Sequence, residues 1–347
     1  MNNFTFNNPQ EVVEHLNKLQ EQHFFPEPQF HSFRLGDVIG RSIWNAIHVR
    51  PKDEHLHEFI VNAMLWTLGE NWFNEQNKKP LEERHIIMRW LHARYIFLTE
   101  AMSRGTKIGD YIQTTGEVRE LVSLASDMYY LQLVRELPTP LLERLKNYDG
   151  FQGARYEIAV AASLVRSGFE IEWKGHSKGQ KIHEFDAIQK YSKETIAIEA
   201  KSRRRKGTLH EHGDLPSFDE IKIDIFSLFN KAMMQNPNDK PFGVYIDINL
   251  PRPKHFQGIN RDWKEIYFEK LQLEGASIFG ETPPTFVAIT NSAWHYDKDN
   301  LTSAGEFYLT VPTSPKVKFP FKNEITLQAI MRSLTKFSQI PKDDLNW

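Results

Sequence analysis

The chain contains no cysteine, and this absence removes several kinds of chemistry at once. Disulfide bonds, thiolate zinc sites and cysteine nucleophiles are therefore excluded. The lack of disulfides suits a protein in a reducing compartment. Long apolar runs are also missing, because the longest, IAVAASLV at 158–165, is far shorter than the ~20 residues of a membrane span. The first residues have neither the basic region nor the apolar core of a signal peptide. We therefore expect a cytoplasmic protein with no membrane segment.

A large excess of charge of one sign is missing as well. The 43 Lys and Arg are balanced by 45 Asp and Glu, so the net charge of -2 does not favour a protein that coats nucleic acid through bulk charge. The charge is nevertheless segregated, since residues 151–206 hold twelve Lys and Arg against seven Asp and Glu. This stretch would allow a local basic groove. No GxGxxG, Walker loop, GxSxG or HExxH pattern occurs, so the nucleotide-binding, hydrolase and metalloprotease classes that these motifs mark have no support.

Two stretches of the chain differ in pattern. Residues 1–148 carry apolar side chains mostly at helical spacing and end in a Pro-Thr-Pro segment and an Asp-Gly turn, which predicts an all-α domain. Residues 149–347 alternate between helical and strand patterns in the order α-β-β-β-α-β, with C-terminal additions. Within this part, the segments 183–190 and 195–202 predict a β-hairpin. We expect a mixed sheet flanked by helices.

One carboxylate falls inside an apolar helix face. In the helix predicted over 153–168, Glu157 lies in the middle of the apolar arc, whereas Arg155 and Arg166 fall on the other side and are predicted to face solvent. A carboxylate that points into a core costs several kcal/mol unless it is paired or binds a metal. Glu157 therefore needs a partner from another segment.

The predicted hairpin offers such partners. Alternation puts Glu199 and Lys201 on one face of the strand TIAIEAKS, and Asp186 lies on the partner strand, thirteen residues before Glu199. Neighbouring carboxylates repel each other unless a cation lies between them, and oxygen ligands favour Mg²⁺ or Mn²⁺. We expect a metal held by Asp186, Glu199 and the Ala200 carbonyl, with Lys201 orienting a bound water or stabilising charge in the transition state. Glu184 faces the same side as Asp186 and could be the acidic ligand instead.

Together these residues resemble a known superfamily. Glu157 on a helix, Asp186 on a strand and Glu199-Ala200-Lys201 on the next strand look like the PD-(D/E)xK nucleases, in the restriction-endonuclease-like and Holliday-junction-resolvase-like branches. The resemblance implies a restriction-endonuclease-like α/β core that hydrolyses phosphodiester bonds with Mg²⁺ or Mn²⁺. It also implies catalytic roles for Asp186, Glu199 and Lys201, and an auxiliary metal-binding role for Glu157. One departure is that no proline precedes the aspartate in HEFD.

The resemblance covers roughly residues 150–250 and implies the partners of the protein. DNA is favoured over RNA as the substrate, and a role in restriction or defence would follow. Cutting both strands would favour a homodimer, and residues 1–148 could supply its interface or bind a protein partner. The basic run that follows the catalytic strand is a candidate phosphate clamp, formed by Arg203, Arg204, Arg205 and Lys206.

Two alternatives remain open. The same residues could form ion pairs in a catalytically silent nuclease-fold module that binds nucleic acid or a protein. The loop that follows the basic run could bind a transition metal or contact substrate through His210, Glu211, His212 and Asp214.

Overall fold

The structure is a computed structural model that describes residues 22–28, 32–106, 113–175, 182–204, 225–250, 282–293, 306–312, 316–337 and 339–341, with the single residues 265, 269 and 279. Helices α1 to α8 span Leu56–Leu68, Glu70–Asn77, Ile86–Ser103, Gly116–Val134, Thr139–Lys146, Phe151–Val165, Ile225–Met233 and Glu324–Thr335. Strands β1 to β9 span Ser32–Leu35, Val38–Ile43, Ala46–Pro51, Phe169–Trp173, Phe185–Gln189, Thr195–Ser202, Phe242–Asp247, Phe286–Asn291 and Glu306–Thr310. Of the helices described, none is both long enough and apolar enough to cross a membrane.

The prediction that residues 1–148 are all-α is wrong in one part. Strands β1, β2 and β3 form an antiparallel sheet joined by two-residue turns. Gly36 in the first turn has φ 58° and Trp44 in the second has φ 51°, the left-handed conformation that tight hairpin turns use. The Gly36-Asp37 pair between two strand-like runs is itself a hairpin signal. Helices are present after this segment as predicted, namely α1 to α4, whereas α5 lies in the Pro-Thr-Pro segment, where no helix was predicted.

The prediction of a mixed α/β sheet in the second part of the chain is confirmed. Six strands are hydrogen-bonded in the order β4-β5-β6-β7-β8-β9. The pairs β4-β5 and β5-β6 are antiparallel, β6-β7 and β7-β8 are parallel, and β8-β9 is antiparallel. With α6 before β4 and α7 between β6 and β7, the described elements follow the predicted order α-β-β-β-α-β.

The alternation of side chains in β6 decides which helix covers each face of the sheet. Ile196, Ile198 and Ala200 belong to the hydrophobic cluster that contains α6 and α8. Ala197 belongs to a second cluster with α7 on the other face. This period of two is the one expected for a strand that is covered on both sides.

The prediction that Arg155 and Arg166 face solvent is wrong. Both side chains are buried, because α4 packs along this side of α6. Arg155 pairs with Glu120, and the Nη1 of Arg166 lies 2.7 Å from the Oδ1 of Asp127. The helical period indicates which residues share a face, but it does not indicate whether another helix covers that face.

Candidate active site

The β5-β6 hairpin brings the predicted carboxylates together where β5 begins and β6 approaches its end. Asp186 lies opposite Ala197 in the strand register. The backbone N–H of Glu184 donates to the carbonyl of Ile198 at 3.1 Å, which puts Glu184 beside Glu199. The carboxylate alongside Glu199 is therefore Glu184, and Asp186 lies two pairs further along the hairpin, opposite Ala197.

Glu199 is fully buried, and the ammonium group of Lys201 contacts its carboxylate. The same ammonium lies 3.9 Å from Glu184 and donates a 3.2 Å hydrogen bond to Gln235. Burial and the charge of Glu184 raise the pKa of Glu199 to about 8, although Lys201 opposes the rise. Neither carboxylate oxygen of Glu199 accepts a hydrogen bond of ordinary geometry from a described residue. The ammonium group of Lys201 therefore offsets only part of the negative charge that Glu199 and Glu184 can carry.

Glu157 is buried as predicted, and its partner is an arginine that the sequence analysis did not identify. Arg144 on α5 binds both oxygens of Glu157, with Nη1 2.8 Å from Oε2. A Cβ at position 153 would lie 3.3 Å from Nη2, so Gly153 leaves room for this guanidinium. A sequence signal did exist, because Arg144 lies next to the buried residues Leu141 and Leu145 on a short amphipathic helix.

The charge of Arg144 connects the carboxylates of the helix and the hairpin. Burial lowers its pKa, but the hydrogen bond to Glu157 and the charges of Glu157, Glu184 and Glu199 together raise the pKa above its ordinary value. Glu157 in turn contributes to the raised pKa of Glu199. Arg144, Lys201 and the three glutamates therefore form one electrostatic cluster, which we call the carboxylate cluster.

Asp186 has a different environment, because three basic side chains surround it. His183 Nε2 lies 2.7 Å from one carboxylate oxygen, and the ammonium groups of Lys174 and Lys240 lie 2.7 Å and 3.0 Å from the other. Burial alone would raise the pKa of Asp186, but these hydrogen bonds hold it well below its usual value. A metal could bind Asp186 only by replacing some of these contacts.

The described part of the basic run lies directly after the hairpin. The backbone N–H of Arg203 donates to the carbonyl of Asp247 at 2.8 Å, which fixes the chain as it leaves β6. Arg204 is exposed and lies 3.1 Å from Asp149. The rest of the predicted clamp and the histidine loop lie outside the described residues, namely Arg205, Lys206, His210, Glu211, His212 and Asp214.

A cavity of about 300 Å³ opens beside the carboxylate cluster. Glu157 and Glu184 form part of its wall, together with Trp173 and Lys174 at the end of β4. Its remaining lining residues are Arg135, Glu136, Pro138, Pro140, Leu141 and Gly175. A small molecule, or a group that projects from a larger ligand, can therefore reach the carboxylate cluster through this cavity.

The oxygen ligands beside Lys201 suit the Mg²⁺ that the resemblance implies, in one particular mode of coordination. Within the described ranges, no three or more His, Asp or Glu side chains are grouped so that they could hold a metal ion. Mg²⁺, however, often binds through one or two carboxylates and takes its other oxygens from water and substrate phosphate. Glu199 and Glu184 supply two adjacent buried carboxylates, and the Ala200 carbonyl follows Glu199 in β6. These residues fit such a site.

A comparison with protein-family models, with curated proteins and with solved structures finds no match to this chain. The fold and the side chains define an α/β protein with a buried carboxylate cluster beside the β5-β6 hairpin of a mixed sheet.

Proposed function

We propose that this protein is a metal-dependent nuclease, an endonuclease of the PD-(D/E)xK type that acts on DNA. The observation that carries the proposal is the fully buried Glu199, which has Lys201 two residues later on the same strand and Glu184 beside it. The element order and the Glu-Ala-Lys spacing support a restriction-endonuclease-like core. We extend the same proposal to a cytoplasmic homodimer that acts in restriction or defence.

Glu199 would hold Mg²⁺ or Mn²⁺ with the Ala200 carbonyl and one carboxylate of the neighbouring strand, either Asp186 or Glu184. When bound, the ion would polarise a phosphoryl oxygen and lower the pKa of a bound water. Lys201 stabilises negative charge on the phosphate, because Gln235 and the two glutamates fix the position of its ammonium group. Arg144 binds both carboxylate oxygens of Glu157 and fixes that side chain at the side of the cluster.

A cleavage assay tests the proposal directly. Supercoiled plasmid, linear duplex, single-stranded DNA and RNA are incubated with Mg²⁺, Mn²⁺ or EDTA. We expect cleavage with either ion and none in EDTA, and a loss of about 100-fold or more in Glu199→Gln and Lys201→Met. The exposed residues Glu170 and Lys52 supply matched controls, Glu170→Gln and Lys52→Met, which are expected to cleave normally.

Circular dichroism and urea unfolding establish that each variant is folded. A wild-type protein that cuts none of the substrates with either ion would refute the proposal, as would full activity in a folded Glu199→Gln variant. The second metal ligand is identified by calorimetry with Mn²⁺ on Glu184→Gln and Asp186→Asn. The variant that has lost the ligand is expected to bind the ion about 10- to 100-fold more weakly.

A second candidate function is binding without catalysis. It is favoured by the contacts of Glu157 with Arg144 and of Asp186 with Lys174 and Lys240, which already neutralise these carboxylates with basic side chains. In that case affinity for nucleic acid or a protein partner would persist in EDTA and in Glu199→Gln, and no substrate would be cut.

A further inference from the structure

The cavity beside the carboxylate cluster is small and has walls of two kinds. Its volume of about 300 Å³ is at the lower end of the range for ligand-binding clefts, and it could hold one nucleotide-sized group but no duplex. Trp173, Leu141 and two prolines form an apolar wall. Glu157 and Glu184, both buried, form the inner polar wall.

Trp173 presents an aromatic surface in a fixed orientation. Its ring meets Phe185 edge-on, with the ring centroids 5.2 Å apart and an angle of 70° between the planes. The side chain is only partly buried, so part of it borders the cavity. Stacking of a base on such a ring tolerates any sequence, because every base has a π-face.

The charged side chains at the inner end of the cavity differ in sign and burial from those at its rim. Glu157 and Glu184 are deep and would repel a phosphate, although Arg144 pairs with Glu157. Lys174 and Arg135 are more exposed and lie at the rim, with Glu136 beside them. The ammonium group of Lys174 is fixed 2.7 Å from Asp186, while the more exposed Glu172 lies 3.8 Å away. Without a metal ion, a neutral base can therefore enter where a phosphate cannot, and its phosphate would remain near Lys174.

We propose that this cavity binds one unpaired nucleotide of a nucleic-acid strand, with the base against Trp173 and its phosphate at the ammonium group of Lys174. The inference rests on the proposed nuclease function, because it takes the neighbouring carboxylate cluster as the place of cleavage. It assigns the substrate class as a strand that is single or is opened at one position, since a paired base must leave its stack to enter such a cavity.

Fluorescence anisotropy measures the binding without requiring cleavage. The probes are labelled single-stranded DNA, single-stranded RNA, a fully paired duplex and a duplex with one mismatch, each in EDTA and in Ca²⁺. We expect single strands and the mismatched duplex to bind about 10-fold or more tightly than the paired duplex. Trp173→Ala is expected to weaken these complexes by about 5- to 100-fold, and Trp173→Phe to restore most of the affinity.

Further variants test the role of charge and control for loss of folding. Lys174→Gln is expected to weaken binding several-fold and to reduce its dependence on salt, because one phosphate contact is lost. Trp66→Ala and Lys52→Gln change exposed residues on α1 and next to β3 and are expected to bind like the wild type. Unfolding in urea shows whether Trp173→Ala is folded, and Trp173→Phe retains the ring if it is not.

Equal affinity for paired and unpaired strands would overturn the inference, as would wild-type affinity in a folded Trp173→Ala variant. Failure of the nuclease proposal looks different, because binding would then depend on Trp173 while no substrate is cut with any ion. If the protein instead cuts a paired duplex as fast as a single strand, and Trp173→Ala does so equally well, the nuclease proposal stands and the cavity has no role.

Discussion

The carboxyl group of Glu199 affects the stability of the whole protein. Its pKa is raised from 4.5 to about 8, first by burial and then by the charge of Glu184. Between these pH values the folded protein keeps a proton that the unfolded chain has released. The free energy of unfolding is therefore expected to fall as the pH rises from about 4.5 to about 8, by on the order of a few kcal/mol.

The variant Glu199→Gln isolates this effect, because glutamine has nearly the same shape and no ionisation. In EDTA we expect the variant to gain stability relative to the wild type as the pH rises through the window, and to show no such gain below it. Urea unfolding at a series of pH values measures the difference. The exposed Glu170 supplies the control Glu170→Gln, which is expected to follow the wild type. Parallel pH profiles for Glu199→Gln and the wild type would contradict the prediction.

At the scale of elements, buried ion pairs hold α4 against α6. The guanidinium of Arg166 is fully buried, donates to Asp127 at 2.7 Å and lies over the ring of Tyr130 at 4.1 Å. Burial raises the pKa of Asp127 to about 6, although Arg166 opposes the rise. Removing one partner of such a pair leaves a buried charge without compensation, which is more costly than losing the pair altogether.

We therefore expect Arg166→Ala to lower the free energy of unfolding by about 3–5 kcal/mol. The double variant Arg166→Met with Asp127→Leu is expected to recover most of this loss, because it removes both charges and keeps the volume. Urea unfolding of the two variants makes the comparison. Arg104→Ala breaks an exposed pair with Glu100 and serves as the control, with little expected change. A double variant as unstable as the single one would show that packing, not charge, decides this contact.

Across the whole molecule, one hydrophobic cluster crosses the predicted domain boundary at residue 148. It contains Phe59 and Leu121 from the N-terminal part, and Ile158, Ile198 and Ile330 from the C-terminal part. Because α4 packs on α6, the helices before residue 148 cover the same core as the sheet. Such continuity favours cooperative unfolding of the two parts.

Leu121 on α4 allows this cooperativity to be tested, because its side chain is fully buried in the shared cluster. We expect Leu121→Ala to lower the free energy of unfolding by about 2–5 kcal/mol. The free energy of opening that hydrogen exchange reports is expected to fall by the same amount in β6 and α8 as in α4. Faster exchange that stays within residues 1–148 would instead indicate two independent folding units.

Local patterns made part of the fold and of the candidate site predictable. The hairpin, the placement of Glu199 and Lys201 and the burial of Glu157 follow from periods of 2 and 3.6 residues, which operate within a single element. The sheet formed by β1 to β3 was missed because its short strands adjoin long helical patterns, although Gly36-Asp37 marked its first turn.

Which side chains share a face can be predicted from the sequence alone, since that depends only on backbone geometry. Except for Glu199, which contacts Lys201 on its own strand, the partners of these buried charges became known only from the tertiary structure. Arg144 for Glu157, Glu120 for Arg155, and Lys174 and Lys240 for Asp186 all come from other elements or loops. The reason is physical, because a buried charge requires a partner but any cation or anion that packing brings within reach can provide it.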